Sequence, residues 1–313
     1  MPDITVLVPS YNHAAFIERT LGSIFCQTMK PKLLIVIDDG SVDESVEIIE
    51  RLLKDCAFEH RFIARENRGL CATLNEALST ADGEYFAYIS SDDVWLPEFL
   101  ESRSALLDNR PEAVLAYGHS FLIDEHDRIF DTTANWSDYT DGRALSMLLH
   151  PIIPASASVL YRRDVLEKFR WNESSILEDY ELYLRLSNTG DFALDDKVLS
   201  AWRIHDRNTS SDFPRMVNEW LAAHERVANE IGLSESELVD IQKSVRFNCI
   251  SSYIRYGHKA TAARLLWENS GGGSVQTTVG VLLRLMTPAR ILKWRRNLIK
   301  ERMIAKYGSL DHR

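Results

Sequence analysis

The first 120 residues alternate between two hydrophobic periods, and this alternation limits the fold more than any other feature. Ile4-Thr5-Val6-Leu7-Val8 is a short, β-rich apolar run ending at Pro9. Phe16, Ile17, Leu21, Ile24 and Phe25 then recur at helical spacing, which predicts a helix within 16–28. The pattern repeats with a strand at 33–37 and a helix at 43–56, where Val46, Ile49, Leu52 and Leu53 share a face. A strand at 61–65, a helix at 70–79, a strand at 85–89, a helix at 96–107 and a strand at 114–121 complete the series. Strand and helix in turn imply βαβ crossovers and a mostly parallel sheet covered on both faces. Such sheets take ligands beyond the carboxyl ends of their strands. The segments expected there are Pro9-Ser10-Tyr11-Asn12, Asp38-Asp39-Gly40-Ser41, Glu66-Asn67-Arg68-Gly69 and Ser90-Ser91-Asp92-Asp93, all rich in polar and turn residues.

Beyond residue 121 the rhythm changes. Residues 124–142 are polar and read as a loop or hairpin, 158–161 as a strand, 177–186 as a helix and 198–204 as a strand. From 213 onward the pattern is helical, at 214–231, 234–256 and 259–269, the second opening with the capping-box sequence Ser234-Glu235-Ser236-Glu237. Gly271-Gly272-Gly273-Ser274 reads as a flexible break. Three units follow, at about 1–120, 121–212 and, helical throughout, 213–313.

Charge narrows the partners. The 313 residues carry 36 Lys+Arg against 46 Asp+Glu, a net −10, which argues against general nucleic-acid binding. No apolar run reaches the roughly 18 residues of a membrane span, and Met1-Pro2-Asp3 lacks a signal-peptide pattern. Cys26, Cys56, Cys71 and Cys249 lack CxxC spacing, as expected of reduced thiols in a cytoplasmic protein.

Three acidic pairs carry the chemistry: Asp38-Asp39, Asp92-Asp93 and Glu178-Asp179. Gathered at one sheet edge they would repel, so the site needs a cation or a protonated member. Mg²⁺ or Mn²⁺, held by one or two carboxylates and by substrate phosphates, meets that need. Solvated turns and helix-terminal charges are the alternative for each pair taken alone.

The motifs, in order, resemble an inverting glycosyltransferase of family two with the GT-A fold, a Rossmann-like sheet flanked by helices. The matching residues are Val8-Pro9-Ser10-Tyr11-Asn12, Cys26-Gln27-Thr28, Ile37-Asp38-Asp39-Gly40-Ser41, Glu66-Asn67-Arg68-Gly69, Ala81-Asp82-Gly83-Glu84-Tyr85, Ser90-Ser91-Asp92-Asp93, Glu178-Asp179-Tyr180 and Arg203-Ile204-His205. They cover about residues 3–210 and leave the helical remainder unmatched.

The resemblance implies a hexosyl-type transfer from a nucleotide-sugar, a UDP-sugar first, to a saccharide or lipid-linked saccharide in bacterial surface polysaccharide or glycan synthesis. It implies a nucleotide-binding half at about 1–120 and an acceptor-binding half at 121–212, and that Pro9, Tyr11, Asp39, Arg68, Ser91 and Asp92 line the nucleotide. Tyr11 would stack on the base, Asp39 would accept its imide N–H, and Asp38 would support the turn. Asp92 matches the last acid of the D-x-D motif, the metal ligand, with His205 a further ligand and Asp93 beside it. Ser90 replaces the first acid of that motif, a departure that weakens the expected metal or ribose contact. Asp179 matches the catalytic base, paired with Glu178, since an acceptor hydroxyl needs its proton removed as the new bond forms. Pro151–Arg163, with small residues at 155–158, resembles the acceptor side. Trp136, Trp171 and Trp202 are either sugar-stacking platforms or core.

The segment 275–307 holds eight basic residues against one acid, Glu301, a net +7 that leaves −17 on the rest of the chain. Basic residues among Leu, Ile and Trp fit an anionic membrane surface, and equally the chain's own acidic body or a second subunit. Two rival functions remain at this point. One is a nucleotidyltransferase, although Pro9–His13 is not a Gly-rich basic phosphate loop. The other is a catalytically silent scaffold, which Ser90 favours.

Overall fold

A computed structural model describes residues 2–208, 211–269 and 274–310. The strands are β1 (Ile4–Ser10), β2 (Leu33–Asp38), β3 (Glu59–Ala64), β4 (Tyr85–Tyr88), β5 (Val94–Trp95), β6 (Ala113–Ile123), β7 (Ile129–Thr132), β8 (Leu160–Arg162) and β9 (Asp191–Arg203). The helices are α1 (Ile17–Phe25), α2 (Ser45–Leu53), α3 (Leu70–Thr80), α4 (Phe99–Asp108), α5 (Leu145–Leu149), α6 (Arg163–Phe169) and α7 (Glu178–Ser187). They continue with α8 (Phe213–Val227), α9 (Glu235–Arg255), α10 (Lys259–Glu268), α11 (Val275–Met286) and α12 (Ala289–Tyr307). The Gly271–Gly273 part of the expected flexible break lies outside the described residues.

One sheet runs in the order β3-β2-β1-β4-β8-β6-β9-β5, with β7 paired to β6. β3, β2, β1 and β4 are mutually parallel. β8 enters antiparallel between β4 and β6, and β9 lies parallel to β6. The polar stretch at 124–142 is a hairpin where β7 turns back on β6, followed by a short 3-10 turn.

The two faces follow from side-chain alternation along the strands. Ile4, Val6 and Val8 of β1, with Leu34 and Val36 of β2, meet Ile17, Leu21, Ile24, Ile49, Phe99 and Leu100 of α1, α2 and α4. Leu7, Leu33, Ile35 and Ile37 point the other way, into a core shared with α3 and α7. That second core continues through Phe213, Val217, Trp220 and Leu221 of α8 into α9 and α10. Burial of each such side chain stabilises the fold by about 1.5–3 kcal/mol.

The Cys26-Gln27-Thr28 motif has a structural role at the end of α1. The buried Gln27 amide donates to Ser23 O and Leu96 O and accepts from Leu100 N–H, tying α1 to the start of α4. α9 begins with the reciprocal capping box of Ser234 and Glu237. The segment 275–307 is two helices, α11 and α12, parted at Thr287-Pro288. α12 ends against the hairpin: Ile129 N–H donates to Gly308 O at 2.9 Å, and Leu310 N–H to Asp127 O at 3.1 Å.

Candidate active site

Parallel strands deliver their following loops to one edge, and the acidic pairs meet there. Ser10 and Asp38 are register partners at the ends of β1 and β2. Asp38 accepts from Ser10 Oγ at 3.0 Å, Ser41 N–H at 2.8 Å and Ser41 Oγ at 2.6 Å, so its carboxylate closes the turn after β2. Asp39 accepts from Arg68 N–H at 3.0 Å and Gly69 N–H at 2.7 Å, and pairs with Arg65 at 3.2 Å. It clamps the loop after β3 to the loop after β2. Gly40 sits between them at φ +87°, where an added Cβ would stand 2.9 Å from Asn67 N. Tyr11 is 49% exposed beyond β1, with its ring available at this edge. Arg68 reaches sideways to Glu76 at 2.9 Å and is largely solvated.

The loop after β4 holds the tightest group of ligand atoms. Asp92 Oδ2 accepts from His205 Nε2 at 3.0 Å, and His205 Nδ1 accepts from Arg207 N–H at 3.2 Å. His13 Nδ1 lies 2.8 Å from Ser91 Oγ and 3.9 Å from Asp92 Oδ1. The ligand atoms of His13, Asp92 and His205 all fall within 4.8 Å of one another. Burial holds the His13 imidazole below its ordinary pKa, hence neutral, the form that binds metal. Two imidazoles and a carboxylate suit a first-row transition ion better than Mg²⁺, which prefers oxygen alone.

Asp93 turns away from that group. Its Oδ1 accepts the Arg203 N–H at 2.8 Å, and burial beside the Asp92 charge pushes its carboxyl well above the usual range. Arg203, almost fully buried, donates to Asp92 O at 2.7 Å and Asp124 O at 2.8 Å, and pairs with Asp127 at 2.6 Å. Its guanidinium lies 4.9 Å over the Phe16 ring. Arg203 therefore braces the Asp92-Asp93 turn from behind.

Glu178 and Asp179 open α7. The Tyr88 hydroxyl, at the end of β4, donates to Glu178 Oε1 at 3.2 Å and so brings the start of α7 to the edge that carries Asp92. Burial raises both carboxyls, Asp179 further because of the Glu178 charge, while N–H groups of the first helical turn pull the other way. Burial raises the hydroxyls of Tyr88, Tyr139, Tyr161 and Tyr183, and the Asp179 charge pushes each the same way. Among the tryptophans, Trp171 is core, Trp202 is half-buried and Trp136 is exposed.

His13, Arg65, Tyr88 and the bracing contacts of Arg203 were not singled out by the sequence. For His13 a signal exists: it lies three residues past a strand end, at the same edge as the acids.

Comparison with known proteins identifies the fold and the family. Chondroitin synthase of Escherichia coli is 28% identical over 216 residues, covering 67% of this chain but 30% of that enzyme. The chain spans 52% of the length of another bacterial relative. Among solved structures, S. aureus TarS 1-349 in complex with UDP superposes with TM-score 0.56 at 17% identity, covering 89% of this chain and 90% of that one. The mannosyltransferase PcManGT from Pyrobaculum calidifontis, in complex with GDP-Man and Mn²⁺, gives 0.61 at 18%, covering 100% and 90%. These neighbours share the GT-A fold. The family model described as Glycosyl transferase family 2 matches residues 5–170, more than half of the chain, and this protein belongs to that family of glycosyltransferases.

Proposed function

We propose that this transferase is metal-dependent and inverting, and that it moves a sugar from a UDP-sugar to a saccharide or lipid-linked saccharide in bacterial glycan synthesis. The observation that carries the reading is the Tyr88–Glu178 hydrogen bond, because it ties the first residue of α7, the immediate neighbour of Asp179, to the end of β4, whose following loop holds Asp92.

In this reading Tyr11 stacks on the base and Asp39 accepts its imide N–H, an added role for an oxygen that also binds the Arg68 and Gly69 amides. Asp92 and His205, with His13, hold a divalent ion, and the donor set favours Mn²⁺ over Mg²⁺. When bound, the ion neutralises charge growing on the departing diphosphate. Asp179 takes the proton of the acceptor hydroxyl as it attacks the anomeric carbon. A single base without a nucleophilic partner fits one displacement, with inversion. Glu178 keeps that base from ionising too easily, and Tyr88 holds Glu178 in place.

UDP reflects the TarS complex, whereas the PcManGT complex carries GDP-Man, so a panel of UDP- and GDP-sugars scored by diphosphate release decides the base. Asp179→Asn tests the mechanism: release falls by at least about 10³-fold while UDP and Mn²⁺ still bind. Wild-type turnover in that variant overturns the base assignment. Ser90 favours a second reading, a silent scaffold. The scaffold predicts nucleotide binding by the native chain with no release from any donor in the panel.

A further inference from the structure

The helices at the C-terminal end carry apolar surface that nothing in the fold covers. On α11, Val275, Val279, Leu282, Leu283 and Met286 recur at i, i+4, i+7, i+8 and i+11, which places them within about 100° of arc. All five are exposed, Leu283 at 61% and Met286 at 82%, whereas Val281 on the opposite side is buried. α12 is apolar on two opposite sides. Leu292, Met303, Ile304 and Tyr307 lie on the half-buried side, and α12 packs along β7, where Lys300 sits 4.8 Å over Phe130. Ile291 and Trp294, the latter 64% exposed, face outward with Arg295 and Arg302 on the same side. Among the described residues, no other element presents more than one exposed large apolar side chain.

The basic residues divide in the same way. Arg284 donates to Ser251, Arg296 to the Arg255 carbonyl, and Lys300 approaches Asp124, so these belong to the body. Arg290, Lys293, Arg295 and Arg302 make no ion pair among the described residues. Arg290 and Lys293, both exposed, stand in the first two turns of α12 after Thr287-Pro288, Lys293 toward the side of Ile304 rather than that of Ile291. Lys259 of α10 donates to the Leu285 and Thr287 carbonyls, which holds this corner on the body.

We propose that the outer face of α11 and α12 docks on an anionic lipid bilayer. The chemistry fits on both counts: an aliphatic row with a tryptophan enters the headgroup boundary, and unpaired basic side chains meet lipid phosphates. A second copy fits less well, because a two-fold contact through this face sets the same four basic residues of each copy against each other. The body, at net −17 outside 275–307, is repelled by the same lipids, so only this corner approaches them. α11, twelve residues and about 18 Å long, is too short to cross the roughly 30 Å core and lies along the surface. No helix among the described residues is long and apolar enough to cross a membrane.

The test is co-sedimentation of the full chain with phosphatidylcholine vesicles, with and without phosphatidylglycerol, at low and high salt. Retention on the anionic vesicles should exceed that on neutral ones by at least about tenfold and fall with salt. Both Leu283→Glu/Met286→Glu and Arg290→Glu/Lys293→Glu/Arg295→Glu should lose it. Val239→Glu, which alters an exposed apolar residue on α9, should keep it. Circular dichroism verifies that each variant is folded. No retention, equal retention on neutral lipid, equal loss in Val239→Glu, or a solution mass that halves in the Leu283/Met286 variant overturns the proposal. UDP binding, read in the same samples, reports on the transferase reading separately, so either can fail without the other.

Discussion

His205 Nε2 and Asp92 Oδ2 stand 3.0 Å apart although 113 residues separate them in the chain. β9 makes this contact, because it carries the Arg203-Ile204-His205 sequence back across the sheet to the loop after β4. With His13 also within reach, the first prediction concerns metal. His205→Ala should weaken Mn²⁺ binding at least about tenfold, and His13→Ala should shift preference toward Mg²⁺ by removing a nitrogen ligand. Titration of each variant with both ions, followed by Mn²⁺ resonance, reads this directly. Unchanged Mn²⁺ affinity in His205→Ala removes that histidine from the ligand set.

Arg203 supports the second prediction. It is buried and directs its donors to Asp92 O in the loop after β4 and to Asp124 O and Asp127 in the β6–β7 turn, joining these two segments. Arg203→Met leaves Asp127 without its buried partner and frees the Asp92-Asp93 turn. The expected cost is about 3–5 kcal/mol of stability, read by denaturant unfolding. Arg203→Lys keeps the charge but cannot span all three acceptors, so it should recover only part of the loss. Full recovery by lysine shows that charge alone was needed.

The third prediction is a pH dependence. Burial, and for Asp179 the adjacent Glu178 charge, raises both carboxyls at the start of α7. The base must be ionised to act, so diphosphate release should rise with pH along a limb lying above the ordinary carboxylate pKa of about 4. Glu178→Gln removes the neighbouring charge and should move that limb to lower pH. Stability runs oppositely. A raised folded-state pKa lets the native chain keep a proton that the unfolded chain has lost, so stability falls as pH climbs from the unfolded value through the folded one. Asp179→Asn should therefore be more stable at neutral pH by roughly 0.5–2 kcal/mol, with the gain vanishing below about pH 4. A gain that does not change with pH points to packing rather than charge.

Apart from the two-residue β5, the strands and helices up to residue 123 are readable because both sheet faces are covered. That leaves near-continuous apolar runs such as Leu34-Ile35-Val36-Ile37, broken by helices with one apolar stripe. The loops that meet at the edge follow from parallel connectivity alone. Which side chain turns inward does not. Asp92 and Asp93 are adjacent and chemically alike, yet one faces two histidines and the other accepts a backbone N–H from β9. That choice depends on the β9 register, which no local pattern encodes. His13 escaped notice because a single histidine in a loop has no spacing partner. α12 combines two apolar sides, so its period blurs, and its docking on β7 joins segments far apart in sequence, Ile129–Thr132 and Ala289–Tyr307.

The last prediction separates two glycines of the same edge. Gly40 and Gly69 both lie in the left-handed region, at φ +87° and +89°. A Cβ at Gly40 would meet Asn67 N at 2.9 Å and Arg65 O at 3.3 Å, both backbone atoms, whereas a Cβ at Gly69 meets nothing within 4 Å. Gly69→Ala therefore carries only conformational strain, about 1–3 kcal/mol, because φ +89° with ψ 156° is a region other residues rarely enter. Gly40→Ala also sits at positive φ and in addition pushes the loops after β2 and β3 apart. That separation lengthens the Asp39 bonds to Arg68 N–H and Gly69 N–H, 3.0 and 2.7 Å in the native chain. Gly40→Ala should thus lose more stability than Gly69→Ala and, in addition, weaken UDP binding. Calorimetry of unfolding and of UDP titration on the two variants gives both comparisons. Equal UDP affinity in Gly40→Ala and the native chain shows that the Asp39 clamp does not shape the nucleotide site.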